Sequence, residues 1–212
     1  WLGRVMRDLD PTGENVLTGV NFGRGLPRAL ALPGVPVVSV HDLENYGVLT
    51  GILDEEQRYK ALGVFAKMYA PAIGTGPAMN YLSRTGLDAL RGADILKSVS
   101  QGYSSSVEYA ATPIAQNLKG IAKVLLAKLG ARVFYTIQAG YDTHSGQLPV
   151  QTKLLNDLAA GIADFQTDLK AHRASDEVLT LVFTEFGRRV KDNGSGTDHG
   201  AAGVAFAIGD NV

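Results

Sequence analysis

A switch of hydrophobic period after residue 131 restricts the architectures open to this chain. Arg132 to Gln138 is a short apolar run containing Val133, Phe134, Tyr135 and Ile137, the pattern of a strand covered on both faces. From Val150 to His172 the apolar positions Leu154, Leu155, Leu158, Ile162, Phe165 and Leu169 recur at helical steps, with polar Lys153, Asn156, Asp157, Asp164 and Asp168 elsewhere. Glu177 to Phe183 returns to a strand pattern, and Val204 to Ile208 gives a last one. Strand, helix, strand in that order predicts parallel pairing through right-handed crossovers, hence an α/β protein with a mostly parallel sheet flanked by helices. On this reading the segments 133–137, 178–183 and 204–208 share one layer, and the helix of 150–172 packs on it.

The N-terminal half fits the same scheme. Asn15 to Phe22 reads as a first strand, closed by a Gly-Arg-Gly-Leu-Pro turn over Gly23 to Pro27, and Val35 to Val40 as a second. A helix follows from Asp54 to Ala70, with Asp54 as its cap and Tyr59, Leu62, Phe65, Ala66 and Tyr69 on its apolar face; Pro71 to Gly76 ends it. Met79 to Val99 is a weaker helical stretch. Thr112 to Leu129 is a better one, with Pro113 in its first turn and Gly130 just past its end. The chain opens on Trp1-Leu2-Gly3-Arg4 and stops at Asn211-Val212 directly after a strand pattern. The expectation is one α/β domain over 1–212, incomplete at both ends.

Composition removes several function classes. A net charge of −1 leaves no clustered basic surplus for nucleic acid. No apolar run approaches the roughly 18 to 20 residues that span a bilayer. With no cysteine, a metal ion would have to be held by oxygen and imidazole alone.

Two segments supply those ligands. Ala139 to Gln147 leaves the strand of 132–138 and carries Asp142 and His144, which are close enough in an extended or turn backbone to share one ion. The plainer alternative is that Asp142 and Thr143 stabilise the turn while His144 is solvated. The second segment leaves the strand of 177–183 as a long loop: Glu185, Phe186, Gly187, Arg188 and Arg189, then Asn193-Gly194 and Ser195-Gly196 turn the chain back into Asp198-His199. Adjacent Asp and His suit one ion or two neighbouring ions, and Arg188 or Arg189 suits a tetrahedral oxyanion, held bidentately. A turn or a salt bridge is the plain role of Glu185, and exposure that of the second arginine. His41 reads as part of a turn with Asp42, and His172 as an exposed residue complementing a helix C-terminus. If both segments serve one centre, their carboxylate and imidazole atoms lie within roughly 10 Å of each other.

GYDTHSGQ at 140–147, VFTEFGRRVKDNGSGTDHG at 182–200, the opening WLGR and LPRAL at 26–30 together resemble the DUF1501 family, bacterial proteins of uncharacterised function, over nearly the whole chain. The resemblance implies an alkaline phosphatase-like fold, shared with sulfatases, phosphatases and cofactor-independent phosphoglycerate mutases. It implies one or two divalent ions, zinc or manganese-like, with Asp142 and His144 on one and Asp198-His199 on the other. The spacing departs from that superfamily's Asp-x-x-x-His, since Asp142 and His144 are two apart. The resemblance further places the first-strand aspartate and hydroxyl nucleophile before this chain, a later histidine ligand after it, and a twin-arginine signal that directs export to the periplasm. The function implied is hydrolysis of small phosphate or sulfate esters, with Arg188 helping to hold the anion. The alternative is a non-catalytic cell-envelope protein that keeps the fold for binding.

Overall fold

The computed structural model describes residues 1–43, 46–47, 51–70, 76–97, 99 and 102–212. The chain forms two compact units, one of Trp1–Ser104 with Lys123–Thr136, the other of Ser105–Ala122 with Ile137–Val212.

The first unit is built on a three-stranded parallel sheet of β1 (Gly19–Phe22), β2 (Val37–Val40) and β3 (Val133–Thr136), in the order β2-β1-β3. Gly19 pairs with Val37 on one side and Val133 on the other, so β1 is the centre and is buried along its length. Successive residues of a strand face opposite ways, and the flanking helices use both faces. On the face of Gly19 and Val37 lies α1 (Leu2–Leu9), whose buried Met6 sits so close that a Cβ on Gly19 would come within 2.5 Å of its sulfur. Val38 turns the other way and meets Gly92 of α3 (Pro77–Lys97), where a Cβ would lie 3.1 Å from the Val38 side chain. The three strands fall within the segments expected from the sequence, β1 and β2 trimmed at their starts and β3 at both ends. β3 differs in one respect: it is half-buried throughout rather than covered on both faces.

Just after α1, the Asp10 carboxylate gathers the chain that leads into β1. It accepts from the Thr12 and Thr18 hydroxyls at 2.8 Å each and from the backbone N–H of Gly13 and Asn15. Those bonds, Thr12 foremost and Thr18 next, hold its carboxyl below the ordinary value. Further along, α2 (Glu55–Met68) starts as expected, with Asp54 accepting from the Gln57 N–H at 2.8 Å and Glu55 and Glu56 in the first turn. None of its side chains is buried, and Tyr69, at its C-cap, lays its ring over Gly86 of α3. Of the expected helix end at Pro71 to Gly76, residues 71–75 lie outside the described residues.

The second unit is organised by α5 (Gln147–Ala171). Its Gly161 admits α4 (Pro113–Leu126), with Ala115 and Leu118 at van der Waals range of a would-be Cβ. Phe165, Asp168 and Leu169 are buried along α5. The fully buried Asp168 accepts from the Ser105 hydroxyl at 2.5 Å and the Tyr109 hydroxyl at 2.9 Å, which fastens the segment before α4 to α5. His172 is the C-cap of the helix and is exposed as expected, with its Nδ1 2.8 Å from the Asp168 carbonyl oxygen and 3.3 Å from the Asp168 carboxylate.

The C-terminal strands overturn part of the expected topology. β4 (Thr180–Val182) pairs antiparallel with β7 (Phe206–Ile208), Thr180 opposite Ile208, in a two-stranded sheet separate from β1, β2 and β3. The reason is the connection. Between Val182 and Phe206 no helix intervenes to carry the chain back for parallel pairing; the chain instead folds into a hairpin, β5 (Gly187–Asp192) with β6 (Thr197–Gly200). The segment read as a long loop is therefore mostly strand. At the other end, Glu177, the first residue of the expected strand, instead closes a short 3₁₀ turn of Ser175–Glu177.

Candidate metal centre

The β5–β6 hairpin explains why two adjacent residues of the sequence go to different places. Across the pair, Arg188 stands opposite His199 and shares its face. Asp198, one residue earlier on β6, faces the other way. There its carboxylate meets Arg189 at 3.9 Å and accepts from Asn193 at 3.2 Å.

On the first face, His199 meets the 139–147 loop. Its Nε2 is 2.7 Å from Asp142 Oδ1, and His144 Nδ1 lies 3.5 Å from the same oxygen. Asp142, His144 and His199 each present one ligand atom, all within 4.8 Å of one another, and all three are exposed. Among the described residues this is the one group of three or more such side chains placed to hold an ion. The ligand chemistry fits: bonds of about 2.0 to 2.2 Å to two imidazoles and a carboxylate make a three-ligand set with room for a further ligand, the composition of catalytic rather than structural zinc sites. The Asp142 carboxyl is held below its ordinary value first by the hydrogen bond with His199, then by the neighbouring His199, His144 and Arg188 charges.

The two loops are fastened by their own backbones. Asn193 closes the tip of the hairpin: its side-chain oxygen accepts from the N–H of Ser195 at 3.1 Å and of Gly196 at 2.8 Å. Its amide nitrogen donates across to the His144 carbonyl at 3.0 Å. Ser195 accepts from the N–H of Gly146 and, through its carbonyl, from that of Gln147, while the Gln147 side chain pairs with Thr197 at 3.1 Å. Gly196 is pressed so close that a Cβ there would come 2.9 Å from the His144 carbonyl oxygen. Inside the first loop, Gln151 reaches from α5 to the Thr143 hydroxyl at 3.0 Å, fixing the residue between the two ligands.

Arg188 sits beside this cluster, 3.7 Å from Asp142 Oδ1, but both of its terminal nitrogens donate to backbone carbonyls, those of Thr197 and Tyr141, at 2.6 Å each. Phe186 stacks on His199 with ring centroids 4.7 Å apart, and the His144 ring lies 4.9 Å from that of His199. Phe186 escaped the sequence reading because nothing in its spacing marks a stacking partner; only the hairpin register puts it beside the histidine.

Of the expected ligands, the structure thus brings Asp142, His144 and His199 together and leaves Asp198 on the opposite face. His41 lies in the other unit, where its Nε2 is 3.3 Å from Arg24. His172 belongs to the Asp168 cap.

An α/β chain with an exposed two-histidine, one-carboxylate cluster is the class these features define. The model of the family described as "Protein of unknown function (DUF1501)" matches residues 83–212, well over half of the chain, and the chain belongs to that family. No match was found among curated proteins or among solved structures. The whole candidate centre falls within the matched residues, whereas β1 and β2 precede them.

Proposed function

We propose that this chain carries the divalent-metal centre of an exported, periplasmic hydrolase of small phosphate or sulfate esters, built on an alkaline phosphatase-like fold. The observation that carries the reading is the convergence of Asp142, His144 and His199 within 4.8 Å on an exposed face. An ion held there supplies Lewis-acid polarisation of an anionic ester oxygen. The three side chains serve one ion, and Asp198, turned toward Arg189, stands apart from it. Exposure of all three ligands leaves an ester free access to the open side of the cluster. Asp142 contributes the negative charge that offsets a dication, and the two imidazoles bind as neutral donors.

A second reading, a non-catalytic envelope protein, draws support from how fully the cluster satisfies itself: Asp142 is already paired with His199 and lies beside Arg188. One experiment separates the two. The purified protein is dialysed against zinc or manganese, analysed for bound metal, and assayed on p-nitrophenyl phosphate and p-nitrophenyl sulfate. Stoichiometric metal with turnover supports the hydrolase. Stoichiometric metal without turnover supports the binding protein, and absence of metal rejects the centre.

A further inference from the structure

We infer that Arg188, backed by Phe186, is a positioning residue that sets the separation of the metal ligands, an inference that rests on the metal-centre reading above. The sequence suggests an anion-holding arginine, yet the guanidinium is committed elsewhere. Nη2 donates to the carbonyl of Tyr141, the residue directly before Asp142, and Nη1 to the carbonyl of Thr197, two residues before His199. One rigid, planar fork therefore ties the two ligand-bearing segments to each other. The side chain is 16% exposed, and its Nε is buried without a hydrogen-bond partner, which is the arrangement of a wedged structural group rather than of a mobile surface cation.

Phe186 adds a second hold. Its ring lies nearly parallel to that of His199, 19° apart in plane, and the Arg188 guanidinium carbon sits 5.2 Å from the Phe186 centroid. Guanidinium, phenyl and imidazole thus form a continuous stack that fixes the tilt of the His199 ring. Groups around a ligand set act this way in metal sites generally, and their loss costs about 10- to 100-fold in metal affinity.

Coulomb's law and positioning predict opposite signs here, which makes the inference sharp. Arg188 carries a positive charge 3.7 Å from Asp142 Oδ1, so by charge alone its removal strengthens cation binding. By positioning, its removal weakens it.

The test is a titration of the full chain with Co²⁺, read by calorimetry and by the visible absorption bands that report coordination geometry, beside thermal melts of each variant. Arg188→Ala is expected to bind Co²⁺ about 10- to 100-fold more weakly with altered bands. Arg188→Lys, which keeps the charge and loses the fork, is expected to stay weakened, and Phe186→Ala to shift the bands. Arg189→Ala removes the same charge from the opposite face of the hairpin and is expected not to weaken binding. Arg188→Ala binding as tightly as the wild type, or more tightly, overturns the inference, as does full affinity in Arg188→Lys. Should Arg188→Ala fail to fold, Arg188→Lys and Phe186→Ala decide: wild-type affinity and spectrum in both reject the positioning role. A wild type that takes up no Co²⁺ is a separate result, because it rejects the metal centre itself.

Discussion

Asp142 Oδ1 and His199 Nε2 lie 2.7 Å apart across 57 residues of sequence. The 139–147 loop and the β5–β6 hairpin bring these two side chains together. To admit an ion the pair need open only slightly, since ligand atoms about 2.0 to 2.1 Å from a tetrahedral centre stand about 3.3 Å apart.

Ligand variants separate the cluster from its neighbours. Asp142→Asn, His144→Ala and His199→Ala are each expected to lose most bound zinc, as measured by elemental analysis after dialysis, with little change in melting temperature because all three are exposed. Asp198→Asn and His172→Ala are expected to retain it, because Asp198 faces Arg189 and His172 sits against Asp168. Retention of metal by the first three, or its loss from the last two, sinks the assignment.

Gly196→Ala tests the fastening of the two loops. A methyl group at that position meets the His144 carbonyl oxygen at 2.9 Å and the Gln147 Cβ at 3.1 Å, and the backbone on both sides is hydrogen-bonded in place. The expected cost is about 1 to 3 kcal/mol of stability by urea unfolding, accompanied by weaker metal binding. Gly194→Ala tests a different cause, since its surroundings are open and only its φ of +98° is at stake; it should leave the spacing of the ligands intact.

Asp168 is the most consequential buried polar group in the second unit. Asp168→Ala deprives the hydroxyls of Ser105 and Tyr109 of this acceptor and leaves a void against α5. A loss of about 2 kcal/mol or more is expected in chemical denaturation, with metal content unchanged. A variant as stable as the wild type would show that the network contributes nothing net.

The Asp10 loop gives a pH dependence of definite sign. Its folded-state carboxyl titrates below the ordinary value of 3.8, so its contribution is present in full above that value and is lost as pH falls through the lowered folded one. Asp10→Asn should therefore reduce stability at neutral pH and flatten the acid limb of the stability curve below about pH 4. Parallel acid limbs in variant and wild type would contradict it.

What was legible in the sequence follows from which forces act locally. Val20, Val38, Val40 and Val133 are β-branched and lie in short runs, and the parallel sheet they form could be read directly. Asp54 announces the start of α2 by its own side chain. The β5–β6 hairpin could not be read this way, because its strands carry Arg188, Arg189, Lys191 and Asp192 instead of an alternating apolar face. It is set by tertiary fit: Gly187 and Gly200 pair at a separation that leaves no room for a side chain on Gly187. The ligand residue types were visible in Asp142, His144, Asp198 and His199. Their sorting was not, because it depends on residues 197–200 being a strand. The segments of β4 and β7 read as members of one layer with β3, whereas they pair antiparallel with each other in a separate sheet, because the interval between them folds into a hairpin.

The pleat of β6 acts as a selector between two kinds of ligand. Sliding this strand by one residue against its partner would turn every side chain over, carrying the Asp198 carboxylate toward Asp142 and sending the His199 imidazole to the far side. The centre would then hold two carboxylates and one histidine, a harder donor set suited to manganese or magnesium more than to zinc. The close pairing of Gly187 with Gly200, which holds that register beside His199, thus decides the chemical hardness of a site to which neither glycine contributes a ligand.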